Sequence, residues 1–162
     1  MKNINRLRLY AATASLAVLA AGLTAPSAAN AFSNAVSARL PGTNINVQAN
    51  AYSDNFGAWN RTFWFQTSSK ATQAGRAVAV NSIRNTATVR VTGIAASVSL
   101  PAGVTVSGSA SEKSMSWQNT NAWISDLAGR ASYSAGTWTF KVNSAAFVEH
   151  RGVRVYVDAW SW

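Results

Sequence analysis

Aromatic rings flanked by amide and guanidinium groups are the features of this chain best equipped for chemistry. A flat ring can stack, and the groups beside it can donate and accept hydrogen bonds. From Trp59 to Phe65 the residues alternate. Trp59, Phe63 and Phe65 share one face, which assigns Trp59 to the core, and Trp64 shares the other with Asn60, Thr62 and Gln66. The last alternating run repeats the arrangement: Tyr156 and Trp160, with Trp162 in phase, fall on the polar face beside Arg154 and Asp158. Such platforms suit stacking on sugar rings, and Arg61, Arg90 and Arg154 add charge-assisted hydrogen bonds to anionic groups. The expected ligand-binding residues are therefore Trp64, Tyr156, Trp160, Arg61, Arg90 and Arg154. The competing reading of each ring is packing beneath a loop or against a second sheet.

Catalytic groups are sparse. The chain has one histidine and no cysteine, which excludes thiolate zinc sites and a histidine metal cluster. His150 lies between Glu149 and Arg151 and reads as a solvated residue near a turn. No serine stands in a G-x-S-x-G elbow. Asp54, Glu112, Asp126, Glu149 and Asp158 are scattered without the paired placement a glycosidase requires. The expectation is a protein that is not an enzyme and uses no cofactor or metal.

The elements that must position these residues are strands. Val, Thr, Ser, Asn and aromatic residues dominate the chain after residue 31, which favours extended structure. In Asn44–Tyr52, Ile45, Val47, Ala49 and Ala51 oppose Asn46, Gln48 and Asn50. Ala87, Val89 and Val91 oppose Thr86, Thr88 and Arg90. Trp138, Phe140 and Val142 oppose Thr137, Thr139 and Lys141. Val153, Val155, Val157 and Ala159 oppose Arg154, Tyr156 and Asp158. One apolar and one polar face per strand predicts antiparallel sheets wetted on one side.

Leu100-Pro101-Ala102-Gly103 reads as a hairpin connection, and Ser53–Gly57 as a turn. Trp123, Ile124, Leu127 and Ala128 fall at helical spacing before Gly129, which predicts a short helix near 121–128. Ser68–Gly75 reads more weakly as a second helical turn. Ala35–Pro41 resembles Ala95–Pro101, and Ala74-Gly75-Arg76-Ala77 recurs as Ala128-Gly129-Arg130-Ala131. A duplicated half-domain would leave such pairs, and so would chance in a narrow composition. The fold class expected is all-β: a single antiparallel sandwich or small barrel, with two related halves as one origin for it.

Residues 1–31 read as an export signal. Lys2, Arg6 and Arg8 precede an apolar run from Tyr10 to Leu23, and Ala29-Asn30-Ala31 forms a cleavage site before Phe32. The run is shorter than the roughly 20 residues of a spanning helix. Cleavage would leave a secreted domain of residues 32–162. Three of the 14 Lys and Arg residues leave with the signal, so 11 face five acids and the net charge falls from +9 to +6. That charge favours anionic partners, while the absence of any basic cluster argues against nucleic acid.

The leading expectation is a secreted, non-catalytic domain that binds a cell-envelope polysaccharide or another anionic surface polymer. The alternative is a membrane-active antibacterial protein drawn to anionic lipid and anchored by Trp and Tyr. In general character (cysteine-free, basic, aromatic at its end) the chain is similar to the lactococcin-972-type bacteriocins. That similarity includes no residue motif and implies no site residue. An outer-membrane barrel would turn Asp158 and Arg154 towards lipid, which is costly.

Overall fold

The computed structural model describes residues 32–54, 61–100 and 106–161. The expected export signal at residues 1–31, most of the 53–57 turn, Trp59, the Pro101–Gly103 connection and Trp162 lie outside the described residues. Within them the chain forms β1 (Phe32–Arg39), β2 (Ile45–Ser53), β3 (Thr62–Gln73), β4 (Arg76–Ala77), β5 (Val80–Gly93), β6 (Val98–Ser99), β7 (Val106–Ser107), β8 (Glu112–Ala122), β9 (Ile124–Tyr133), β10 (Thr137–His150) and β11 (Val153–Ser161). One antiparallel sheet, sheet A, has the order β1-β2-β3-β9-β6, with β4 also paired to β3. The other, sheet B, has the order β11-β10-β5-β8-β7. The two pack as a sandwich. The predicted all-β class and two-sided strands are thus observed.

Alternation places the apolar faces as the sequence indicates in β2, β5 and β11. Ile45, Val47, Ala49 and Ala51 are buried, as are Ala87, Val89 and Val91, and Val157 and Ala159. Phe63 and Phe65 enter the core while Trp64 faces out. Two-residue loops at Ala74-Gly75 and Arg151-Gly152 have positive φ at both positions. That geometry matches the twist of the flanking strands, and the glycine is the residue that adopts it without strain.

Four expectations are corrected. The predicted helix near 121–128 is strand: β8 ends at Ala122, Trp123 bends, and β9 begins at Ile124. Ser125, Asp126 and Gly129 favour helix poorly, and β3 offers the segment a full antiparallel partner from Thr62 to Lys70. Ser68–Gly75 is likewise β3 and its tight turn. The strands on either side of Leu100–Gly103 do not pair with each other as a hairpin would require: β6 pairs with β9 in sheet A and β7 with β8 in sheet B. Finally, Trp138 leaves the core. The β10–β5 register shifts between Thr137 and Thr139, and this bulge reverses the parity of Trp138, which is 67% exposed. The similar quartets also fall on unlike elements: Ala74–Ala77 make a turn, whereas Ala128–Ala131 lie inside β9.

The core has two apolar clusters. One is aliphatic and gathers Leu40, Ile45, Val47, Val80, Ile83, Val148 and Val157. The other is aromatic-rich, with Phe63, Phe65, Tyr133 and Phe140 packed on Val89, Val91 and Met115. Phe63 and Phe140 stack with centroids 3.8 Å apart. Between them runs a buried polar row. Asn85 donates to Thr67 Oγ1 at 2.8 Å, and its Oδ1 accepts from Ser144 at 3.0 Å and from Ser69 at 3.3 Å. These bonds join the two sheets and satisfy Asn85, which has no solvent exposure.

Candidate functional site

The six expected site residues divide between the two outer faces of the sandwich. Trp64 belongs to sheet A, and Arg61 immediately precedes β3 of that sheet. Trp64 lies across from Arg130, and its backbone N–H donates to Asp54 Oδ1 at 2.7 Å. Tyr52, a residue the sequence reading passed over, pairs with Gln66 on this face. Arg90, Arg154, Tyr156 and Trp160 belong to sheet B. Trp64 therefore shares no patch with Tyr156 and Trp160.

Sheet B brings together the larger set. Its outer face is built in rows across β11, β10, β5 and β8. One row is Trp160, Asn143, Thr88 and Ser114; the next is Asp158, Ala145, Thr86 and Ser116; the third is Tyr156, Phe147, Arg84 and Gln118. The rows arise because cross-strand partners in antiparallel pairs point to the same side. Facing hydroxyls form a ladder: Thr86 and Ser116 lie 2.7 Å apart, and Thr88 and Ser114 2.8 Å.

Large side chains from the neighbouring strands frame that ladder. Trp160 is held in place rather than free. Its indole Nε1 donates to Asp158 Oδ2 at 3.0 Å, and the Arg90 guanidinium lies 5.2 Å from its ring centroid. Arg90 Nε in turn donates to Glu112. Asp158 also accepts from Asn143 Nδ2, and Asn143 is only 4% exposed although it points outward. The clamp thus extends from an edge strand over β10 to β5 and β8. Tyr156 is the open ring at 63% exposure. Its phenol is held above the usual tyrosine range by partial burial and by Asp158, with Arg84 opposing. Arg84 stands over the Phe147 ring at 5.0 Å, and Arg154 pairs with Glu149 at 2.8 Å.

No protein-family model, curated protein or solved structure matches this chain. The reading of the site therefore rests on its own geometry. Each of the three carboxylates on this face, Glu112, Glu149 and Asp158, is engaged by a neighbouring Arg, Asn or Trp. Among the described residues no three His, Asp or Glu side chains converge on a metal position. His150 precedes the β10–β11 turn, half-buried, with its Nδ1 covered and without a hydrogen-bond partner.

Sequence reasoning missed Arg84, Asn143, Phe147 and Trp138. Arg84 and Phe147 lie in phase with the polar faces already identified, so parity alone could have placed them. Trp138 carried no such signal.

Proposed function

We propose that the outer face of sheet B binds a cell-envelope polysaccharide or a related anionic surface polymer, without catalysis, once the chain has been exported. The carrying observation is the gathering on one sheet of a hydroxyl ladder, a clamped indole, an open phenol ring and guanidinium groups. Sugar rings present apolar faces to aromatic side chains and hydroxyls to polar ones, and this face offers both chemistries side by side. Arg84 and Lys141 bring positive charge to the same surface, which favours chains carrying carboxylate or phosphate groups. The export signal at residues 1–31 is consistent with a partner outside the cytoplasm.

Co-sedimentation with insoluble peptidoglycan at low salt tests the reading. The protein is expected to pellet with the wall, and Tyr156→Ala to weaken retention roughly tenfold. Trp64→Ala, on the opposite face, is expected to pellet like the parent. Absence of binding at low salt would overturn the reading, and loss on Trp64→Ala alone would move it to sheet A.

A further inference from the structure

The bulge in β10 extends the sheet B face beyond the residues that define it. Thr139 pairs with Thr92 and both face outward, whereas Thr137 pairs with Gly93 and is buried. Trp138 is the extra residue between them and emerges on the outer side. A regular strand would have pointed this ring inward beside Phe140, so the irregularity gives up core burial to expose it.

The base beneath Trp138 is stiff. Ser134 N donates to Ser97 O at 2.9 Å, Ser97 N donates to Ser134 Oγ at 3.0 Å, and Thr137 N donates to Ser134 O at 3.1 Å. The Gly93 and Gly136 segments touch so closely that a Cβ at Gly136 would stand 1.9 Å from Ile94 O. The indole is therefore presented from a fixed support, which limits the ordering cost of any contact it makes.

Three rings now mark a line along the strands. Tyr156 pairs with Phe147 and Trp160 with Asn143, and Trp138 lies farther along the same β10. At about 3.3 Å per residue, Tyr156 and Trp138 are roughly 30 Å apart with Trp160 between them. We propose that this face takes an extended polymer chain lengthwise, with Tyr156 at one end of the track and Trp138 at the other. The proposal rests on the glycan reading above and adds its direction, its minimum length and a third anchor. A ligand of one or two sugars would meet one ring only.

Size-fractionated glycan strands released from peptidoglycan, from disaccharide to dodecasaccharide, test it by tryptophan fluorescence. Affinity is expected to rise in a step once strands span the track, and Trp138→Ala to remove that step, a loss of roughly tenfold for long strands. Trp138→Phe is expected to restore most of it, and Tyr52→Ala on sheet A to retain the step. Circular dichroism establishes that each variant is folded. Binding that is independent of length, or a step that survives Trp138→Ala, overturns the proposal while leaving the glycan reading intact. No binding to any fraction overturns both. Retention on phosphatidylglycerol vesicles without a length step would overturn the proposal and reassign Trp138 and the nearby Ile94, which is 72% exposed, to lipid.

Discussion

The two ends of this sandwich are built from different materials. At one end Leu40, Ile45, Val47, Ile83 and Val148 fill the space between the sheets, and two-residue loops close β3–β4 and β10–β11. At the other, stacked rings fill it, and the strand β10 opens with a bulge. The aliphatic end behaves as a frame, since branched side chains and tight turns fix strand register. The aromatic end leads to the exposed Trp138 and Ile94, so variation in its loops changes a surface rather than the scaffold. Binding surfaces carried by a rigid frame follow this division generally.

The largest effect expected from breaking this division is at the aromatic end. Phe65→Ala removes a ring with no solvent exposure, and a cost of about 3–5 kcal/mol follows from lost burial plus the cavity left behind. Val148→Ala at the aliphatic end is expected to cost distinctly less, because fewer atoms leave. Urea unfolding of both variants checks the order; equal losses would mean that the two clusters do not differ in how they hold the sheets.

Asn85 stands at the boundary. Thr67, Ser69 and Ser144 all direct hydroxyls to it. Asn85→Ala is expected to cost about 2–3 kcal/mol, because buried hydroxyls lose their partner. Hydrogen exchange should then accelerate along β3, β5 and β10 at that row before it does at either cluster.

The strands and their faces were legible because a period of two is imposed by the pleat itself. The sequence also placed Asn85 in phase with Ile83, Ala87 and Val89, so the polar interruption of the core was there to be read. The bulge at Trp138 was not. It changes parity by one residue, and Thr137-Trp138-Thr139 carries no glycine or proline to mark it. Trp123, Ile124, Leu127 and Ala128 misled for a different reason: their spacing suits a helical face, but in the strand Ile124 and Ala128 fall on the side opposite Leu127, and pairing with β3 decides the outcome. Which candidate residues share an outer face depended on strand order, and no local pattern encodes that.

The glycines sharpen the contrast between the ends. Gly42, Gly75 and Gly152 at the aliphatic end have open space around them, and only their positive φ calls for glycine. Gly136 at the aromatic end faces a carbonyl at 1.9 Å from where a Cβ would stand. Gly136→Ala is therefore expected to cost about 1–2 kcal/mol or more and to disturb the support of Trp138. Gly42→Ala should cost about 1 kcal/mol through backbone strain alone and leave that support intact. Quenching of tryptophan fluorescence by iodide distinguishes the two, since only the first should alter access to an exposed indole.

The smallest expected effect concerns alkaline pH. Burial raises the phenol of Tyr133 above the ordinary tyrosine value, with Arg61 opposing. The folded state therefore holds that proton more tightly than the unfolded chain does. Stability from this source is complete below the unfolded value of about 10 and is lost as pH rises through the folded one. No tyrosine belongs to the aliphatic cluster, so alkali should loosen the aromatic end first. Tyr133→Phe keeps the ring against Phe63 and removes the ionisation, so its melting temperature should fall less steeply than the parent's above about pH 10. Tyr156→Phe, on the open face, should change the slope less, because water already reaches that ring. Parallel slopes for the parent and Tyr133→Phe would show that the phenol loses its proton without cost to the fold, and that the aromatic end is no more vulnerable to alkali than the aliphatic one.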